Sequence, residues 1–204
     1  MSNKEKLKIA YGGIIYYFLY YLVTAGFFIS GTDISLILWE VGIILGGVVQ
    51  LVILLSIIEH TDEKKKAWRI AFVVFMTCTI ALTWIAHFVN LTVVMPLEAN
   101  GTNIPDYFKF GQWPSAIMAV EYLAWGGGMG LAFIFGARTL TTKYAEMKKV
   151  KYTMTICGCL CLLGILGVVF ISELSWLLAP AGFAVGTPII CAQMISFYKK
   201  QDTR

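Results

Sequence analysis

The chain has 204 residues, 58 % hydrophobic and only 14 % charged, with a mean hydropathy of +0.75. A soluble domain is about 45–50 % apolar and about 25 % charged, so this composition excludes a soluble globule, a disordered chain and a small disulfide scaffold. A formal net charge of +4 on so apolar a chain also excludes a nucleic-acid binder built on a basic face. What remains is an all-α, multi-pass protein whose first partner is the lipid bilayer.

A helix needs about 20 apolar residues to cross a hydrocarbon core of about 30 Å. Six stretches qualify, at residues 9–29, 34–58, 68–94, 114–137, 153–171 and 176–197. The first is too long and too aromatic (Tyr16, Tyr17, Phe18, Tyr20, Tyr21) for a cleaved signal peptide. Its Gly13, Tyr17, Tyr20, Tyr21 and Thr24 fall on one side. The second carries Trp39 and Glu40. On the third, Thr79, Thr83, His87 and Asn90 recur at i, i+4, i+8 and i+11, a polar stripe on an apolar helix. Trp84 lies at similar depth.

The loop at 95–113 is long and holds Pro96, Pro105, Tyr107, Phe108, Phe110 and Trp113. It reads as an interfacial aromatic anchor or as a lid. The fourth span puts Glu121, Trp125, Gly128 and Ala132 on one face, with Gly126 and Gly130 nearly opposite. The fifth carries no charge. Its Cys157, Cys159 and Cys161 are scattered by about 200° per step on a helix, which suits apolar packing better than metal binding. The sixth contains Pro180 and Pro188. Prolines free backbone carbonyls inside a span and point to a broken helix of the kind that marks transport sites.

Fifteen of the sixteen basic residues fall on one side if every stretch spans, with Lys109 alone opposite. Cationic side chains are retained in the cytoplasm, so both termini are expected there, in a plasma membrane. No linker divides the chain, which reads as one domain over residues 1–204 and one compact six-helix bundle. The pairs Gly42/Gly46, Gly126/Gly130 and Gly182/Gly186 have the spacing that lets helices approach closely in lipid. Lys148, Lys149 and Lys151 have the chemistry to bind anionic lipid as well. The residues do not support an inverted repeat, because Glu40 has no acidic counterpart in the fifth span.

A charged group in the hydrocarbon region costs several kcal/mol and marks function by default. Glu40, His87 and Glu121 qualify, seven residues from Asp33, Val94 and Pro114 respectively, roughly 10 Å deep at about 1.5 Å per residue. They predict an outward-open cavity, with ligand-binding residues Glu40, His87, Asn90, Glu121, Trp125, Trp39, Trp84, Tyr17, Tyr20, Tyr21, Thr83 and Pro180. Aromatic walls with a few polar groups suit a small organic molecule, cationic or aromatic. A Glu–His pair also allows proton coupling.

The expected function is therefore small-solute binding or transport. One alternative is a receptor or partner subunit of a membrane complex, or a homo-oligomer. A second is an intramembrane enzyme using the Glu–His–Glu set. With no zinc-protease, hydrolase or bis-histidine pattern present, no catalytic residue, metal or other cofactor is assigned, and the balance leans against an enzyme.

Overall fold

A computed structural model describes residues 1–58 and 63–202. Arg204, one of the fifteen basic residues expected on the cytoplasmic side, lies outside them. The structure is 88 % helical, without strands among the described residues. Six helices are long and apolar enough to cross a membrane: α1 (Asn3–Ser30), α2 (Asp33–Ile58), α3 (Lys66–Ala99), α4 (Ala116–Thr139), α5 (Ala145–Phe170) and α6 (Glu173–Gln201). Hydropathy locates all six and underestimates the length of every one but the fourth, which it shifts by two residues. The start of α5 lies two turns before the predicted one, because Lys148, Lys149 and Lys151 favour helix even where the sequence stops being apolar. Gly31, at φ +58°, closes α1 by returning its N–H to the Phe27 carbonyl at 2.9 Å.

The helices form a ring in chain order, each packed on its sequence neighbours, with α6 returning to α1. The first and last described residues lie at the end of the bundle opposite the long loop. There Asn3 donates to Gln201 at 3.1 Å, Lys200 pairs with Glu146 at 2.6 Å, and Lys65 reaches the Leu140 carbonyl at 3.2 Å. The half of the ring nearest this basic end carries much of the hydrophobic core. Leu54, Ile57, Phe72, Met76, Phe133, Met147, Met154, Ile190, Met194 and Phe197 are all wholly buried in it. The outward faces carry Phe18, Leu22, Leu45, Val74, Ile85, Ile156 and Leu166, all exposed. An apolar belt of this kind is suited to lipid contact and would be a liability in water.

Glycines set the tightest contacts. A Cβ on Gly158 of α5 would lie 2.8 Å from the Gly130 carbonyl oxygen of α4, and one on Gly182 of α6 would lie 2.7 Å from the Cys157 carbonyl oxygen of α5. Small residues thus let backbone meet backbone where no hydrophobic force drives helices together. Cys157 and Cys161 are buried on this seam, while Cys159 and Cys78 are exposed. The Gly42/Gly46 pair behaves differently. It receives no helix; Tyr16 of α1 lies across it and donates to the Gly42 carbonyl at 2.8 Å.

The sixth helix is not broken. Pro188 has no N–H to offer the carbonyl four residues before it, Ala184, and the Tyr21 hydroxyl of α1 donates to that carbonyl instead. One wide π-turn, Ala181–Val185, takes up the remaining irregularity. Two more π-turns occur at Asn90–Val94 in α3 and Leu123–Gly128 in α4. All three lie in the half of the ring nearest the long loop, and π-turns of this kind concentrate at functional positions.

Candidate functional site

Three helices bring three titratable side chains together inside that half. Glu40 comes from α2, His87 from the last α-helical turn of α3, and Glu121 from the first turns of α4. All three are 0 % exposed. The imidazole lies between the carboxylates. Its Nδ1 is hydrogen-bonded to Glu40 Oε2, and its Nε2 stands 3.4 Å from Glu121 Oε2. Asn90, at the start of the α3 π-turn, donates from Nδ2 to Glu40 Oε1 at 2.5 Å. Glu40 is thus held on both oxygens.

Glu121 is held on neither. Both of its oxygens, and His87 Nε2 facing them, lack hydrogen-bond geometry with any partner. A neutral imidazole can donate from only one nitrogen, whereas a protonated one donates from both. The Glu40 half of the cluster is thus closed by hydrogen bonds and the Glu121 half is open.

A metal site would need one imidazole nitrogen and both carboxylates to converge on a point about 2 Å from each. Here the carboxylates occupy opposite edges of the ring. Among the described residues no group of three or more His, Cys, Asp or Glu side chains is disposed to hold a metal.

Beside the cluster lies a cavity of about 560 Å³. Its wall comes from every helix except α5. α1 gives Tyr20, Thr24, Phe27 and Phe28; α2 gives Leu36 and Trp39; α3 gives Asn90, Val94, Met95 and Glu98. The loop adds Lys109, Phe110, Gly111 and Gln112, α4 adds Met118, Tyr122 and Trp125, and α6 adds Trp176, Pro180 and Phe183. Nearly half of these residues are aromatic. Trp39 stacks on Phe27 at 5.1 Å, and its indole N–H, although buried, has no hydrogen-bond acceptor.

A smaller chamber of about 60 Å³ continues deeper and shares Tyr20, Trp125 and Phe183 with the cavity. Its polar lining includes Tyr17, Gln50, Thr79 and Thr83. Tyr17 donates to Gln50 Oε1 at 2.5 Å and Gln50 Nε2 to Thr187 at 2.9 Å, a wholly internal link between α1, α2 and α6.

The candidate residues separate into four groups. Glu40, His87, Asn90 and Glu121 meet as one cluster, but only Asn90 lines the cavity. The two carboxylates and the imidazole stand behind its wall, where an outward-facing position was expected. Trp39, Trp125, Tyr20 and Pro180 line the cavity, while Tyr17 and Thr83 line the chamber below it. Trp84 and Tyr21 are outside both. Trp84 is half exposed on the outer surface, donating to the Ile44 carbonyl at 2.8 Å, and Tyr21 serves the Ala184 carbonyl. In each case a ring at the right depth is turned away by the helical phase.

The long loop is divided between the two roles considered for it. Tyr107 and Phe108 are exposed, whereas Phe110 sits over the cluster, 5.3 Å from the His87 ring. Gly111, at φ +77°, makes the turn that places it there. Gln50 and Thr187 are functional candidates that a search for charged groups alone passes over. A lone amide in so apolar a stretch as that around residue 50 is the signal that finds them.

Fold and cavity define a class: a six-helix, multi-pass membrane protein with a central aromatic vestibule and a buried acidic–imidazole cluster. Comparison with protein-family models, curated proteins and solved structures finds no match to the chain.

Proposed function

We propose that the protein binds a small organic solute in the 560 Å³ cavity, as a carrier or a solute-binding membrane protein. The observation that carries this reading is the cavity itself. Pockets for such ligands measure about 300–1,000 Å³ and combine apolar, aromatic walls with a few fixed polar groups. Asn90 and Gln112 fill that polar role, and Tyr20, Phe27, Phe110, Tyr122, Trp125 and Trp176 supply the walls. The preference of basic residues for the cytoplasmic side supports a reading in which the long loop, and with it the cavity mouth, faces outward.

The test is tryptophan fluorescence of the purified protein in detergent, titrated with two probes of one shape: 2-phenylethylammonium and 2-phenylethanol. Saturable quenching by at least one of them, weakened about tenfold or more by Asn90→Leu, supports the cavity. Only linear, non-saturable quenching by both would count against it.

A further inference from the structure

We infer that the cavity takes an organic cation and that the Glu40–His87–Glu121 cluster exchanges a proton against it. The inference rests on the cavity reading above, and adds the charge of the ligand and what its binding displaces.

The cluster lies one side chain behind the cavity wall. Trp39 and Phe110 both line the cavity, and their rings stand 5.9 Å and 5.3 Å from His87. Asn90 lines the cavity on one side and holds Glu40 on the other. Two carboxylates and one imidazole carry a charge of −1 with one proton bound and are neutral with two. The orphaned oxygens of Glu121, wholly buried beside His87, are where the second proton finds an acceptor. The aromatic faces lining the cavity attract cations directly.

A cation against these rings and the second proton are like charges roughly 10 Å apart in a water-poor interior. At an effective dielectric constant of about 20, each weakens the binding of the other about tenfold to twentyfold. When the cation enters, the cluster's second proton leaves for solvent in those molecules that held it, partly offsetting the added charge, and no other bond is made or broken.

Other titratable groups face this region. Tyr20 of α1 is within electrostatic reach of Glu121, and Tyr122 of α4 is in the cavity wall. At the mouth stand Glu98 and Lys109. Asp106, 2.8 Å from Lys109, raises the Lys109 pKa above its ordinary value, so Lys109 keeps its charge near neutral pH. Among the described residues, α6 contributes no titratable side chain to the cavity, and α5 does not line it at all.

The test uses the full-length protein in detergent and weak buffer, with a pH indicator reporting proton release on addition of each probe. 2-Phenylethylammonium is expected to release at least about half a proton per bound molecule at the optimal pH, and to bind more tightly as pH rises. 2-Phenylethanol, of the same shape but neutral, is expected to release none. Glu121→Gln should flatten the pH dependence of the ammonium probe while leaving alcohol affinity within about twofold; Glu121→Asp should restore the dependence. Saturable binding of both probes with equal, pH-independent affinity would overturn the exchange and leave the cavity standing. Saturable binding of the alcohol alone would do the same. Binding of neither would overturn both.

Discussion

Glu40 is the position where the structure makes the sharpest demand on the side chain. It is wholly buried and accepts from His87 Nδ1 and Asn90 Nδ2 at once. Glu40→Ala leaves both donors without an acceptor, at about 1–3 kcal/mol each, and leaves His87 with only the loosely placed Glu121. A total of about 3–5 kcal/mol follows, as for other buried pairs that lose one partner. For a chain of this length about 2–4 °C is lost per kcal/mol, so the midpoint should fall by roughly 10 °C.

Glu40→Gln is different. Its carbonyl oxygen can keep the Asn90 bond while its NH₂ donates to His87 Nδ1, provided the imidazole is the neutral tautomer unprotonated at that nitrogen. It should cost less than half as much as the alanine. The assay is thermal unfolding in detergent followed with a thiol-reactive fluorophore, because Cys157, Cys161 and Cys191 are buried and react only on unfolding. An alanine variant within about 2 °C of wild type, or a glutamine variant as unstable as the alanine, would refute the assignment of Glu40 as the anchor of the cluster.

The packing makes a second prediction, read by the same assay. Gly158→Ala forces a Cβ to 2.8 Å from a backbone oxygen that cannot rotate away and should cost about 1–3 kcal/mol, whereas Gly12→Ala, with nothing within 4 Å, should be neutral or slightly stabilising. A third separates the tryptophans. Trp125→Phe should change the fluorescence response to the probes of the cavity test, and Trp84→Phe, on the outer surface, should leave their affinities within about twofold; equal effects would place the binding site elsewhere.

The architecture is readable from composition because a bilayer leaves few choices: an apolar stretch of the right length must be a helix that satisfies its own backbone. The cluster is readable for a related reason. Charge is so costly in a span that Glu40, His87 and Glu121 stand out without further evidence, and counting residues from the loop ends puts them at one depth. Depth, however, is not direction. Tyr21 and Trp84 occupy the right level, but a residue one position away on a helix points about 100° aside, and nothing in one sequence says which way the ring of helices closes. The same limit explains the sixth helix. Pro188 is legible as a backbone defect, yet its repair by a hydroxyl from α1 depends on a contact between the first helix and the last.

The position of the charges behind the wall, rather than on it, bears on what the site can distinguish. A carboxylate exposed to the cavity would be hydrated when the cavity is empty, and binding would first have to strip that water. In this protein Trp39 and Phe110 stand between the cavity and His87, and the cluster is 0 % exposed, so its hydration does not change when a ligand enters. The rings would offer a ligand an apolar surface, and the field of the cluster reaches through them less screened than it would be in bulk water. On the proposed function, shape and apolar character are judged by the wall and charge by the layer behind it. In the proposed exchange, changing the protonation of Glu121 alters the second judgement without moving an atom of the first.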